Sequence, residues 1–254
     1  MALDTNFDDL ATHFKQRIYG SRKGAIRLAV LWRDLLQNLP LEQEKPLRIL
    51  DIGAGLAQLD LKLADLGHQV CINDLSAKML ALAKEQAEGK SFAKQLTWQH
   101  GAFQDLEPCH DYDVVMAHAV LEWLAEPETL IAKLGDFLQQ NGVVSLMFYN
   151  FDALLFHNLL RGNFNKIQNN DFAGMQGGLT PPKPLKLAWV EQTLQQHGFE
   201  VFYQSGIRVF SDYVGVRRGG NDDDAAVLDM ELQYSNQQPY VQMGRYVHYM
   251  CKRK

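Results

Sequence analysis

The hydrophobic positions of this chain alternate between short, fully apolar runs and stretches with helical spacing. Within residues 10–39, Ile26, Val30, Leu31 and Leu35 recur at the helical period and predict an N-terminal helix. Pro40 and Pro46 bracket a linker. Residues 47–52 then form an apolar run without polar alternation, as in a strand covered on both faces. Residues 56–66 read as a helix closed by Gly67, and 69–73 as a strand. Ser76 is the N-cap of a helix through Met79, Leu80 and Ala83. Strands over 96–100 and 112–117 follow, then a helix from Pro127 toward Leu138 and a strand over 143–149 behind Gly142. This order predicts an α/β fold, a mostly parallel sheet with helices on both faces.

After Asn150 the rhythm breaks. Residues 151–184 are rich in Asn, Gly and Pro, with no clear strand, and predict a long irregular insertion of the kind that carries function. A helix resumes over 187–197 and stops at Gly198. Residues 199–210 and 241–250 form a final pair of strands around a helix over 221–234, whose acidic start suits its dipole.

Composition narrows the class. With 254 residues, 46% hydrophobic and 22% charged, the whole chain 1–254 is expected to be a single domain. The acidic start lacks the order of a signal peptide, and no apolar run approaches the roughly 18 residues of a membrane span. Cys71, Cys109 and Cys251 are odd in number and never at C-x-x-C spacing, so neither a disulfide framework nor a metal site is expected. These features point to the cytoplasm and away from a membrane. The net charge of -5 does not bear on nucleic-acid binding. Basic clusters at Arg22-Lys23, 183–186, Arg217-Arg218 and 252–254 read individually as solvated surface.

The most informative segment is Ile49-Leu50-Asp51-Ile52-Gly53-Ala54-Gly55-Leu56-Ala57. Gly53 and Gly55 stand where the first strand turns into the first helix and let the backbone approach a ligand. Asp74 ends the second strand nineteen positions beyond Gly55, the spacing of an acid that binds both hydroxyls of a ribose. The competing reading makes Asp74 a helix cap alongside Ser76. A dinucleotide fingerprint needs a third glycine where this chain has Gln58. An Asp ahead of G-x-G instead resembles the first motif of class I methyltransferases, D/E-x-G-x-G-x-G, with Ala57 replacing the last glycine.

That resemblance implies a Rossmann-like sheet with an antiparallel last strand, and S-adenosylmethionine as cofactor. It assigns Asp51, Gly53, Ala54, Gly55, Asp74 and Leu75 to cofactor binding. Phe103 would pack on adenine and Gln104 or Asp105 would meet its amine, whereas His118 would line the methionine arm. An ordinary loop and a structural histidine are the plainer readings of these last residues.

Further segments are similar to the bacterial tRNA 5-carboxymethoxyuridine methyltransferase family. They are Asn6-Phe7-Asp8-Asp9, Ile18-Tyr19-Gly20, residues 118–123, Leu146-Met147-Phe148-Tyr149-Asn150, His157-Asn158, Gly162-Asn163-Phe164, Arg208-Val209-Phe210, Asp212-Tyr213 and Gly244-Arg245-Tyr246. The similarity covers nearly the whole chain. It implies methylation of the carboxylate of a modified uridine at the tRNA wobble position, with the anticodon loop as partner. It also implies that residues 1–45 fold as a helical lid, with Arg27 pairing to the methionine carboxylate, and that 150–186 insert near the substrate. One departure is that some members carry a lysine-rich run where this chain has Phe172-Ala173-Gly174-Met175-Gln176-Gly177-Gly178. This segment is therefore a poor candidate for gripping tRNA.

A carboxylate is already ionised at neutral pH, so no general base is expected. Catalysis then rests on positioning. Tyr149, His157, Arg208 and Tyr213 are the candidates for holding the acceptor, with Arg208 preferred because a guanidinium grips both carboxylate oxygens. Alternative readings are a small-molecule carboxyl or phenol O-methyltransferase, a dehydrogenase, or a non-catalytic nucleotide-binding module.

Overall fold

Along each central strand, alternate residues supply two separate apolar cores. Ile49, Val114 and Met116 belong to one, and Leu50, Val115 and Ala117 to the other. The computed structural model describes residues 4–9, 21–43, 45–172, 180–214 and 220–254. The strands are β1 (Arg48–Ile52), β2 (Gln69–Asp74), β3 (Leu96–His100), β4 (Tyr112–His118), β5 (Leu138–Tyr149), β6 (Phe199–Ile207) and β7 (Tyr246–Arg253). They form one sheet in the order β3-β2-β1-β4-β5-β7-β6. β1 to β5 run parallel, and β7 pairs antiparallel with both β5 and β6.

The helices are α1 (Arg22–Asn38), α2 (Gln58–Asp65), α3 (Ala77–Ala87), α4 (Pro127–Phe137), α5 (Phe151–Leu160), α6 (Phe164–Gln168), α7 (Leu187–Gln196) and α8 (Asp224–Tyr234). α1, α2, α3 and α8 cover one face through Ile26, Val30, Leu63, Leu80, Ala83 and Val227. α4 and α7 cover the other through Leu130, Ile131, Leu134, Val190 and Leu194. The expected α/β class, with its mostly parallel sheet and antiparallel last strand, is the one observed.

Several boundaries differ from expectation for physical reasons. α2 begins at Gln58 rather than 56, because Gly53, Gly55 and Ala57 all adopt the left-handed conformation and no helix propagates through them. Residues 151–172 are not irregular. Asn150 accepts from the Asp152 N–H at 3.0 Å and starts α5, whose apolar residues go all round the helix and so give no periodic stripe. β6 stops at Ile207 because Arg208 turns left-handed at φ 61°. The strand expected from 241 begins only at Tyr246. The Asn150 amide donates to the carbonyls of Gln242 (2.8 Å) and Gly244 (2.9 Å), holding that stretch off the sheet as a short 3-10 turn. Residues 10–20 of the first predicted helix, with the Ile18-Tyr19-Gly20 motif, lie outside the described residues, as do Arg217-Arg218 and residues 173–178 of the glycine-rich segment. Among the described residues no helix is long and apolar enough to cross a membrane.

Candidate active site

The carboxyl ends of β1, β2 and β4 open into one cleft. The Gly53 and Ala54 N–H groups both donate to the Asn73 carbonyl, at 2.9 and 3.1 Å, which pins the turn after β1 against β2. A Cβ on Gly53 would stand 2.6 Å from Val120 Cγ2, so the loop is restricted to glycine by close approach as well as by φ 70°. Asp74 Oδ2 accepts the Gly55 N–H and Oδ1 the Ser76 N–H, each at 2.7 Å. Both readings of Asp74 thus coexist: it orders the turn before α3 and still lines the cleft. Burial, more than the nearby Asp8 charge, pushes its pKa up against those two bonds.

The nucleoside end of the cleft is walled by Leu75, Gly101, Ala102, Phe103 and Gln104. Lys133 donates to the carbonyls of Phe103, Gln104 and Leu106 and fixes that wall. Residues 4–9 strap across it. Asp4 accepts from the Ala125 N–H at 2.8 Å and from the Gln104 amide at 2.9 Å. Phe7 packs edge-on against Trp123 at 4.8 Å, and Asp8 accepts from the Ser76 hydroxyl at 2.6 Å.

The other end is walled by Arg27, Asp51, Gln58, Asp60, His118 and Tyr246. Asp51 Oδ1, Gln58 Oε1 and Asp60 Oδ1 are buried there with no hydrogen-bond partner among the described residues. Burial, then repulsion from Asp60 and Asp74, pushes Asp51 well up, whereas burial carries Asp60 to about 7 despite its bond to Asp51. Orphaned acceptors beside a guanidinium form the donor and acceptor set for an amino-acid zwitterion. With a ribose-spaced acid at the opposite end, the cleft therefore fits the methionine and nucleoside halves of S-adenosylmethionine.

His118 joins a buried relay on the α1 face of the sheet. Its Nε2 lies 2.8 Å from Ser145 Oγ, which lies 2.8 Å from His248 Nε2. His248 Nδ1 lies 2.8 Å from Asp34 Oδ2 on α1. Asp34 also accepts from Ser205, from Tyr203 at 2.9 Å and from Arg33 at 2.6 Å. Burial would raise Asp34, but His248, Arg33 and Ser205 together hold it below the usual carboxylate range. An ionised Asp34 only accepts, so His248 Nδ1 carries a proton. In the neutral form of His248, Nε2 takes the Ser145 hydroxyl, and Ser145 takes Nε2–H of His118. His118 then keeps Nδ1 as an acceptor. Burial, His248 and Arg27 push the His118 pKa well down.

Beyond Tyr246 the cleft meets a cluster of cations. Tyr246 packs on Tyr149 at 5.2 Å, and Arg245 donates to the Tyr149 hydroxyl at 3.4 Å. Asp212 takes Arg245 at 2.9 Å and Arg208 bidentately at 2.6 and 2.7 Å. Arg208 is therefore already paired with an acid, the arrangement of a structural arginine, but it shares that acid with a second guanidinium. Arg208 is the largest influence lowering the Lys23 pKa, with Arg245 and Arg161 adding to it. His157 and Tyr213 pack at 5.6 Å beside the cluster. The loop after β6 is held by buried Glu231, which accepts the N–H groups of Val209, Phe210 and Ser211 at 2.9 Å each.

All ten residues expected at the cofactor thus line one cleft, and the four expected at the acceptor surround one cation cluster. Sequence reasoning missed Gln58, Asp60, Glu122, Glu231 and the place of Arg245 in the cation cluster. Asp60 carried a usable signal, being an acid in the buried stripe of Leu59, Leu63 and Ala64. Glu122, fully buried and pushed up to about 8 by burial, lies within reach of the Arg27 charge.

A family model described as a methyltransferase domain matches residues 50–146. The chain is 39% identical over 98% of its length, and 97% of the relative's, to a tRNA 5-carboxymethoxyuridine methyltransferase of Escherichia coli. It is 30% identical to a malonyl-[acyl-carrier protein] O-methyltransferase of Halalkalibacterium halodurans, over 54% of this chain and 50% of the relative. Among solved structures it is similar to magnesium protoporphyrin IX methyltransferase from Synechocystis with bound SAH, at TM-score 0.64 and 18% identity, covering 98% of this chain and 96% of that one.

Proposed function

The chain belongs to the tRNA 5-carboxymethoxyuridine methyltransferase family, and from that premise we propose that it methylates the carboxylate of 5-carboxymethoxyuridine at the tRNA wobble position, forming the methyl ester. The observation that carries this reading is the continuity of two sites. A cleft fitted to S-adenosylmethionine leads through Tyr246 and Tyr149 to Arg245 and Arg208, cations suited to an anionic acceptor. A tRNA substrate supports the expected cytoplasmic location of this activity.

S-adenosylmethionine, when bound, supplies an electrophilic methyl group on a sulfonium. Asp74 has lone pairs left after its two backbone bonds and would accept from the ribose hydroxyls. Gly53, Ala54 and Gly55 keep the backbone close to the ligand, and Leu75, Phe103 and Gln104 form the adenine wall. Arg27 would take the methionine carboxylate, and Asp51, Gln58 and Asp60 its ammonium. His118 lines the same end.

Arg208 and Arg245 would hold the acceptor carboxylate, with Tyr149, His157 and Tyr213 around it. Asp212 keeps these cations from repelling one another before substrate arrives. No residue needs to remove a proton. The strap of residues 4–9 and α1 would exclude water from the reacting atoms.

The test couples cofactor to acceptor. The parent protein should bind S-adenosylmethionine and convert tRNA bearing 5-carboxymethoxyuridine to its methyl ester, seen by mass spectrometry of the nucleosides. Asp74→Ala should weaken S-adenosylmethionine by about 10- to 100-fold in calorimetry, because it removes hydrogen bonds to a charged group. Methylation of small acids but not of this tRNA would overturn the assignment.

A further inference from the structure

Between the cation cluster and solvent lies a helix that is apolar on the wrong side. α5 buries Ala153 and Leu154, but its outer face presents Phe156, Leu159 and Leu160, which are 39%, 45% and 59% exposed. Phe164, opening α6, is 57% exposed. A surface helix normally turns polar groups outward, so large apolar side chains this concentrated mark a contact surface. Two further observations say what it contacts. Arg161 and Lys166 are exposed among these side chains, and Arg161 influences both Lys23 and His157, so the patch is continuous in charge with the cation cluster. The patch is also continuous in contact. Phe156 packs on Tyr213 at 6.0 Å, and Tyr213 follows Asp212, which holds Arg208 and Arg245.

Aromatic rings interleaved with cations suit single-stranded nucleic acid, whose bases stack while its phosphates pair. A second copy of this chain is disfavoured, since Arg161 and Lys166 would meet their own charges across a two-fold axis. Asp152 and Asp171, the acids of this stretch, stand before and after the apolar residues rather than among them.

We infer that the outer face of α5 and the start of α6 form a stacking platform for the unpaired nucleotides flanking the wobble nucleotide. The inference rests on the function proposed above. With the wobble carboxylate at Arg208 and Arg245, its neighbours lie against Phe156 and Phe164, and Arg161 and Lys166 take their phosphates. The platform accepts any base, and the cations beside Tyr213 select the modified one.

The test uses the full chain with Phe156→Ala, Phe164→Ala and Phe164→Trp. Both Phe side chains are exposed, so melting and S-adenosylmethionine binding should stay at parental values. Each alanine variant should lower kcat/KM for tRNA bearing 5-carboxymethoxyuridine by about 10-fold, as expected for one lost base–ring stack. It should also weaken an unmodified anticodon stem-loop RNA similarly in fluorescence anisotropy. Phe164→Trp should retain parental RNA binding. Unchanged RNA binding in both alanine variants overturns the platform. So does a parent dimer that Phe164→Ala dissociates while tRNA kinetics stay the same. A parent that binds the stem-loop through these rings but never methylates the modified tRNA supports the platform and overturns the proposed function instead.

Discussion

Asp51 and Asp60 place two carboxyl groups in a space that burial makes hostile to charge, each with one oxygen that accepts no hydrogen bond among the described residues. In the free protein the pair therefore retains a proton near neutrality, Asp60 having been pushed up to about 7. An ammonium favours the ionised pair, so binding of the methionine moiety lowers that pKa and releases the proton. The sign follows: affinity for S-adenosylmethionine should weaken as pH falls below about 7, by at most about tenfold per unit for one proton. Calorimetry in buffers of different ionisation enthalpy should register proton release, and Asp60→Asn should flatten the dependence. Asp74 was legible from the sequence because its distance from the glycine turn is a geometric requirement. Asp60 was harder to see, because an acid on a short helix reads as surface until the sheet is known to lie beneath it. Ala57 shows the same limit: its left-handed φ of 55° belongs to the position, not to the residue type.

At the level of elements, the site depends on supports with no chemistry of their own. Glu231 reaches from α8 to accept three successive N–H groups of the loop carrying Arg208, whose backbone sits at φ 61°. Without it the loop would lose the bonds that hold this unfavourable conformation. Glu231→Ala should lower kcat/KM for the modified tRNA by about 100-fold or more, leave S-adenosylmethionine affinity within about threefold, and reduce the melting temperature, since each buried N–H left unpaired costs about 1–3 kcal/mol. Melting curves, cofactor titration and methyl transfer on the same sample separate these effects. The alternating elements up to β5 could be read because each strand is an apolar run with a turn signal at its end. α5 could not, since a helix apolar on every side shows no period. The ends of β6 and the start of β7 were set by Arg208 and by the Asn150 amide, long-range constraints that no local pattern reports.

Across the whole molecule, Asp34 and His248 stand 214 positions apart in sequence yet share one buried bond of 2.8 Å. Replacing Asp34 by Asn removes the charge that Arg33, His248, Tyr203 and Ser205 all address. Breaking a buried ion pair from one side costs about 3–5 kcal/mol, so Asp34→Asn should lower the melting temperature by roughly 6–20 °C. It also lets the His118 ring choose its tautomer, which nitrogen NMR of labelled histidine reads directly; an unchanged His118 spectrum would separate the relay from the cleft. The order of the sheet extends this dependence into time. β7 lies between β5 and β6, so β6 has no partner until residues 246–253 have left the ribosome. α1, made more than two hundred residues earlier, carries a carboxylate whose histidine partner arrives only with that strand. During synthesis the chain must therefore hold an unsealed sheet edge and an undocked first helix while the rest is made. Closure should be late and dominated by contacts between distant residues, the slow regime for folding. In a nascent chain truncated just before Tyr246, the turn of Gly53 and Gly55 can form, but Arg208 and Arg245 have no paired strand to hold them.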